Sequence, residues 1–289
     1  MVERFVPSIP SDLSQLDELV DLFVRKRVAV LTGAGCSTAS GIPDYRGPQT
    51  RKQDRRPITY QKFICHQWAR RRYWARSAIG WPRVRNARPN DAHRALATLE
   101  AQGYLSGLIT QNVDGLHHQA GSRDVVDLHG QLARVVCLDC RATTTRDAVQ
   151  TRIEKLNPGW TSQSQSGSLA PDGDVDIPDE IPSTFQVPSC THCGGILKPD
   201  VVFFGENVRR PVVHRAWSIV DRSDVLLVVG SSLTVYSGYR FVRGADERNL
   251  PVVIINLGQT RGDPHASLQV QARVGHALQT LCRRLGCTG

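Results

Sequence analysis

Val28-Ala29-Val30-Leu31 runs directly into Thr32-Gly33-Ala34-Gly35-Cys36-Ser37-Thr38-Ala39-Ser40-Gly41. A short β-branched run that opens into a glycine-rich turn is how doubly wound sheets bring backbone N–H groups towards a pyrophosphate. An amphipathic helix is predicted just before it, from Leu13 to Val24. Further buried strands are predicted at Leu105–Thr110, Val225–Val229 and Val252–Asn256, each ending in polar or small residues. Strands separated by helical patterns imply a mostly parallel α/β sheet with helices on both faces, and ligands then lie beyond the strands' carboxyl ends. Gly33–Gly41, Gln111–Asp114, Gly230–Ser232 and Asn256–Gly258 all fall at such ends. The glycines at 33, 35 and 41 are not in the G-x-G-x-x-G spacing of hydride-transfer dehydrogenases, and no acidic residue closes a second strand at the expected distance.

Composition narrows the class. The chain has 289 residues, 40% hydrophobic and 22% charged, with 24 Gly and 16 Pro, which suits one folded unit or a large domain with a small insert and excludes intrinsic disorder. No apolar run approaches the roughly 18 residues of a membrane span. The first twenty residues lack the order of a secretory signal or transit peptide, so a cytoplasmic location is expected. The formal charge of +9 rests on 36 basic against 27 acidic residues, and only five of the basic ones are Lys. That arginine bias fits genomic base composition as well as a binding surface. Arg70-Arg71-Arg72-Tyr73-Trp74-Ala75-Arg76, the densest basic stretch, is open between nucleic-acid contact and a solvated helix face, with the second favoured by charge alone.

Two regions do not fit the sheet. Residues 45–90, rich in Arg and aromatics, read as a helical insert. Residues 134–200 carry Cys137-Leu-Asp-Cys140 and Cys190-Thr-His-Cys193, and in a cytosolic chain paired CxxC units point to a structural Zn²⁺ held by four thiolates. The 49 residues between Cys140 and Cys190 exceed the usual spacing, so a redox pair or two unrelated pairs stay as alternatives; Gly194-Gly195 supplies the second knuckle's turn. Between the pairs, 157–189 reads as a long loop rich in Ser, Gln, Gly, Pro and Asp. There is no internal repeat.

Taken together, the motifs resemble the sirtuins, NAD-dependent protein lysine deacylases. The matching segments are Gly33-Ala34-Gly35-Cys36-Ser37, Gly41-Ile42-Pro43-Asp44-Tyr45-Arg46-Gly47, Pro89-Asn90-Asp91-Ala92-His93 and Thr110-Gln111-Asn112-Val113-Asp114-Gly115-Leu116-His117. Leu128-His129-Gly130, the two CxxC pairs, Pro199 to Glu206, Gly230-Ser231-Ser232-Leu233 and Ile255-Asn256 continue them in family order. Cys36, Asp44-Tyr45, Val113 and the Tyr73 to Pro82 segment look like class II, the group with a mitochondrial animal member. The resemblance implies a Rossmann-like domain of residues 1–44, 91–133 and 201–289. A smaller domain would be made of the helical insert 45–90 and the zinc-binding module 134–200, with the active site in the cleft between them.

It also implies roles. NAD would be held by Gly33, Ala34, Gly35, Asp44, Tyr45, Arg46, Gln111, Asn112, Val113, Asp114, Gly230, Ser231 and Ser232, with Asn256, Leu257, Gly258 and Val274 about the adenosine. The acyl-lysine oxygen would attack the nicotinamide ribose as nicotinamide leaves, giving an alkylimidate, and His129 would then act as general base on the ribose hydroxyls. An imidazole can both take and return a proton near neutral pH. Asp114 with the Val113 backbone would hold the nicotinamide carboxamide, and Asn112 the ribose or its water. Val202, Phe203 and Gly205 would pair with an acyl-lysine protein or peptide, and Tyr73 with Arg76 resembles the pair by which another sirtuin class recognises acidic acyl chains. The alternative for Tyr73 and Arg76 is one turn of an arginine helix facing solvent. His93, His117 and His118 are expected to be packing or surface histidines, and His192 a marginal substitute ligand. Two other functions compete: mono-ADP-ribosylation with the same cofactor residues, and a zinc-ribbon nucleic-acid module, which leaves Gln111–Asp114 and His129 unexplained.

Overall fold

All five residues of strand β1 (Val28–Thr32) are buried, which a continuous apolar run permits when helices cover both faces of a sheet. The computed structural model describes residues 13–45, 57–162, 170–175 and 181–287. Strands β2 (Leu105–Thr110), β3 (Val125–Asp127), β7 (Val225–Val229), β8 (Val252–Asn256) and β9 (Leu268–Gln271) join β1 in a six-stranded sheet of order β3-β2-β1-β7-β8-β9. Every pairing in it is parallel. The order reverses between β1 and β7: one half of the chain adds strands to the left of that seam, the other to the right. A crevice must open above such a seam, because the connections leave it in opposite directions.

The pleat divides the apolar residues between two cores. Val28, Val30, Val225, Leu227, Val229, Val253 and Ile255 face one layer, with Leu16, Leu19 and Phe23 of α1 (Leu13–Arg25), Leu96 and Leu99 of α4 (Asp91–Ala101), and Leu278 and Leu281 of α9 (Val274–Arg284). Their neighbours Ala29, Leu31, Leu226, Val228 and Ile254 face the other, with Ile219 and Val220 of α7 (Arg210–Asp221) and Phe241 and Val242 of α8 (Tyr236–Asp246). The predicted helix and four strands all appear here, within a residue at their ends. The short edge strands β3 and β9 were not anticipated.

A second structural layer stands apart from this sheet. Helices α2 (Tyr60–Cys65) and α3 (Gln67–Asn86) pack on a three-stranded antiparallel sheet of β4 (Gly130–Cys137), β5 (Thr143–Thr145) and β6 (Leu197–Val201), with α6 (Arg146–Leu156) behind it. The basic stretch 70–76 is only partly at the surface, with Arg70, Arg71 and Arg72 half-buried. Tyr73, Trp74, Ala75 and Arg76 are buried, and the Arg70 guanidinium donates to the carbonyls of Phe63 and Ile64. The helix meets the α6 layer on this side, where buried Arg146 lies 5.3 Å from the Trp74 ring and 5.5 Å from that of Trp81. The described parts of 157–189 run through turns, as expected of a loop. Its 170–175 stretch crosses α3 so closely that a Cβ at Gly80 would stand 2.0 Å from the Gly173 carbonyl oxygen.

Candidate active site

The turns after β1, β2 and β7 interlock above the seam. The Gly33 amide donates to the Val229 carbonyl and the Gly35 amide to that of Gly230, while Cys36 and Ser37 donate back within the turn. A Cβ on Gly33 would lie 2.6 Å from Ser231 Cβ, and one on Gly35 2.9 Å from the Gly230 oxygen. Both glycines are therefore demanded first by the protein's own packing, with four of the turn's amides turned inwards. The Ser231 hydroxyl accepts from Gln111 Nε2 at 2.8 Å. Ser232 bonds instead with Thr234.

Gln111 to Asp114 leave β2 at the same level. Asn112 Nδ2 donates to the Gly33 carbonyl and to the Ser37 hydroxyl, both at 3.0 Å. The Ser37 hydroxyl in turn donates to Asp114 Oδ2 at 2.7 Å, and Asp114 Oδ1 accepts from the Leu116 amide. Burial pushes the Asp114 carboxyl up from the usual range, and the Leu116 and Ser37 hydrogen bonds oppose it. Val113 is half-buried, and its carbonyl accepts from Leu132. Asp44 and Tyr45 follow the β1 turn; the Tyr45 ring meets that of Phe204 edge-on at 6.2 Å. Arg46 lies outside the described residues. Across the seam, Asn256 donates to the carbonyls of Leu257 and Gly258. Gly258 holds φ +85° and Val274 is buried at the start of α9. Those of the anticipated cofactor residues that are described thus gather on one rim, at the ends of β1, β2, β7 and β8 and the start of α9.

His129 sits at the β3–β4 turn. Its Nδ1 is 2.9 Å from the Gln111 carbonyl oxygen, and its Nε2 is 2.7 Å from the Ser237 hydroxyl on α8. Burial lowers its pKa to about 4, aided by Arg240 and opposed by the Gln111 carbonyl, so the ring is neutral at neutral pH. The His129 carbonyl accepts from the Val202 amide, which fastens the next segment to it. There, the Phe203 amide donates to Glu206, the Phe203 ring packs 5.1 Å from Phe63 and 5.2 Å from Tyr73, and Gln61 donates to the Gly205 carbonyl. Lys198, almost fully buried, is paired with Glu206 at 2.9 Å and anchors the turn from below.

Tyr73 and Arg76 are not on a solvent-facing turn. Arg76 Nε donates to the Val175 carbonyl at 2.9 Å and lies 3.1 Å from the Asp174 carboxylate, so an element of the long loop already engages it.

Among the described residues, two clusters hold metal-ligating side chains. Cys137, Cys140, Cys190 and Cys193 bring their sulfurs within 4.8 Å of one another, with Cys137–Cys193 at 3.6 Å and Cys140–Cys190 at 3.7 Å. A tetrahedral Zn²⁺ with Zn–S bonds of about 2.3 Å requires sulfurs about 3.8 Å apart, so the set fits. Gly194 turns the second knuckle at φ +75°. The exposed His192 lies outside this set. Cys36, His93 and His117 form the other cluster, fully buried. Here the tautomers argue against a metal. His93 Nδ1 accepts from the Asn90 amide, so Nε2 carries the hydrogen; Thr32 donates to Thr110, so His117 donates to Thr32 through Nε2 and keeps its lone pair on Nδ1. One donor, His93 Nε2, and one acceptor, His117 Nδ1, are left buried without a hydrogen-bond partner, and burial keeps the Cys36 thiol protonated. These are packing histidines, as expected, whereas His118 pairs with Asp127 at 3.0 Å nearer the surface.

Ser37 and Ser237 had no assigned role in the sequence. Ser37 stands within a quoted motif and was legible as a candidate; no local signal marks Ser237.

Residues 33–237 match the model of the Sir2 family. The chain is 52% identical over 264 residues to NAD-dependent protein deacetylase 2 of Bradyrhizobium diazoefficiens, covering 91% of this chain and 96% of that one. It is 49% identical over 279 residues to the human NAD-dependent protein lipoamidase sirtuin-4, mitochondrial, covering 95% and 88%. Among solved structures, "Sir2-p53 peptide-NAD+" superposes with a TM-score of 0.76 at 31% identity, covering 94% of this chain and 99% of that one.

Proposed function

The chain belongs to the Sir2 family, and from that membership we infer that it is an NAD-dependent protein lysine deacylase, moving an acyl group from lysine to ADP-ribose with release of nicotinamide. The observation that carries this reading is His129, a neutral imidazole held by directed bonds beside the Gln111–Asp114 turn. The relatives are named deacetylase and lipoamidase, which favours acyl removal over mono-ADP-ribosylation.

The rim suits the cofactor. Gly33, Ala34, Gly35 and the Gly230–Ser232 turn would face the phosphates, Asn256, Leu257, Gly258 and Val274 the adenosine, and Asp44, Tyr45 and Arg46 the nicotinamide ribose. Bound NAD supplies an electrophilic ribose carbon and the hydroxyls that receive the acyl group. Around it, Ser37 orients both Asn112 and Asp114. The half-buried Asp114 and the Val113 backbone would hold the carboxamide, and Gln111 would fix the ribose side of the site. His129 would accept and return a proton at Nε2. Acyl-lysine peptides would be recognised along Val202, Phe203 and Gly205. Zinc, held by the four cysteines, has a structural role, since four thiolates leave no open position for water.

The proposed division is the one set out from the resemblance, with residues 1–44, 91–133 and 201–289 carrying the cofactor and 45–90 with 134–200 forming the smaller domain. A reducing compartment, the cytoplasm, suits a centre made of four free thiols. Among the described residues no helix is long and apolar enough to cross a membrane. For the acyl group, Tyr73 and Arg76 would line its end of the site, and Asp174 beside Arg76 favours a bulky neutral chain over an acidic one.

Replacing His129 with Ala or Tyr tests the reading. Acyl removal should disappear while melting and NAD binding persist. A variant that removes the acyl group at the wild-type rate would overturn the assignment.

A further inference from the structure

Ser237 lies in the first turn of α8, 108 residues from His129, and its hydroxyl is 2.7 Å from Nε2 of that ring. The direction of the bond follows from the other nitrogen. Nδ1 faces the carbonyl oxygen of Gln111, and a carbonyl can only accept, so Nδ1 carries the hydrogen. A neutral imidazole then has its one lone pair on Nε2, and the serine hydroxyl donates to it. That lone pair is the only place where His129 can take up a proton, and Ser237 stands on it.

The placement is built, not incidental. At Gly238, the next residue, a Cβ would stand 2.3 Å from Gln111 Oε1. The Gln111 amide cannot simply swing away, because its Nε2 donates to Ser231 and to the Thr32 carbonyl. Glycine at 238 therefore lets the start of α8 press against Gln111. The residue that aligns His129 from one side thus also positions the serine on the other.

We infer that Ser237 is a further catalytic residue: the relay through which His129 takes up and returns its proton. This rests on the reading of His129 as the general base. Ser237 Oγ accepts a proton from a ribose hydroxyl of the cosubstrate while its own proton passes to Nε2. The O–H bond of the incoming hydroxyl breaks and a new one forms at Oγ; the old serine O–H breaks and N–H forms at Nε2. The products are an imidazolium and a ribose oxygen with the electron pair it needs as a nucleophile. Reversal returns the proton, so no other reactant is required. Once charged, the ring donates through Nε2–H to the same serine oxygen. That charge-assisted bond offsets part of the burial that otherwise disfavours the imidazolium.

The test begins on the enzyme without cofactor. In protein labelled with ¹⁵N-histidine, His129 should show a protonated Nδ1 and a bare Nε2, and Ser237→Ala should move the Nε2 resonance while leaving Nδ1 protonated. With NAD and an acylated peptide, Ser237→Ala should lower kcat about 10²-fold, the lower range for losing an acid–base group, with KM for NAD unchanged. Ser237→Thr, which keeps the hydroxyl, should recover most of the rate. A proton inventory in mixed H₂O and D₂O should curve for the wild type, two protons being in flight, and become linear in Ser237→Ala. Ser237→Ala at full rate beside an inactive His129→Ala overturns the relay and leaves the base standing. An active His129→Ala overturns the base reading itself. A linear inventory in the wild type, which needs no variant, overturns the relay alone.

Discussion

The Arg76 guanidinium lies 3.1 Å from the carboxylate of Asp174, with only 10% and 14% of the two side chains left to solvent. The residues are 98 positions apart, one on α3 and one on the loop between the zinc knuckles, so the contact ties that loop to the helix read as lining the acyl site. Asp174 thus stands where the resemblance would put the carboxylate of an acidic acyl chain.

That contact sets the expected acyl preference. Long neutral acyl-peptides should outrun glutaryl-type ones on the wild type. Asp174→Asn, which removes the negative charge beside Arg76, should raise the relative rate on acidic chains by about tenfold, the lower end of what a charge-assisted hydrogen bond contributes. Nicotinamide release across a panel of acyl-peptides measures it. A wild type that prefers glutaryl-peptide would show that Asp174 does not compete for Arg76. Arg76→Ala should lower stability most clearly above pH 7, where Asp174 is ionised and loses its charged partner.

Stability should fall as pH drops from about 6.5 towards 4. Burial lowers His93 and His129 to about 4 and His117 well below its ordinary value. The unfolded chain therefore binds more protons than the folded one across that interval, and unfolding is favoured as pH falls. Asp174 works the other way. Burial raises it to about 7, so between about 4 and 7 the folded state binds the extra proton and gains stability on acidification. Asp114, whose carboxyl burial also raises, acts in the same sense as Asp174, so three histidines stand against two aspartates; acid lability stays dominant, and protonation of the metal-binding thiolates adds to it. Urea midpoints at pH 7.5 and 5 report the sum. His93→Gln, whose amide oxygen can still accept from the Asn90 amide, should make the dependence shallower; an unchanged slope would remove His93 from the account.

What the sequence revealed depends on how local each feature is. The central strands were legible because burial on both faces turns β1, β7 and β8 into unbroken apolar runs closed by small residues. β3 and β9, three and four residues long at the sheet's edges, carry too little pattern to register. The cysteine knuckles and the Gln111–Asp114 turn declare themselves through short spacing. Arg70–Arg76 misled because charge on a helix suggests solvent, whereas its aromatic neighbours pull this turn inside, with Arg76 answered by Asp174. Ser237 had no such signal: its meaning comes from His129, which only the fold brings to it.

Purified protein should contain about one zinc per chain. Cys193→Ser should lower the melting temperature sharply, since metal binding contributes directly to folding of a small module. The loss should spread beyond the knuckles, because β4 ends at Cys137 and pairs there with Leu197 of β6, whose far end leads into Val202. Removing zinc with a chelator should therefore weaken peptide binding as well as stability. Unchanged melting and peptide affinity in metal-free protein would make the four thiols a bystander cluster.

Gly230 and Gly121 both hold left-handed backbone, at φ +59° and +100°, yet they should respond differently to alanine. Gly121 has nothing within 4 Å of where a Cβ would stand, so Gly121→Ala meets only the conformational penalty of roughly 1–2 kcal/mol. At Gly230 the same Cβ would lie 2.6 Å from the Cys36 amide nitrogen and 2.8 Å from the Gly35 carbonyl carbon. Backbone cannot rotate out of the way as a side chain can. Gly230→Ala should therefore lose clearly more stability than Gly121→Ala, and it should prise the β1 turn from the β7 turn, weakening NAD binding, which Gly121→Ala leaves intact. Calorimetric NAD titration and thermal melting of the two variants separate strain from close approach. Equal losses in both would mean that the interlock of the two turns contributes nothing to the cofactor site.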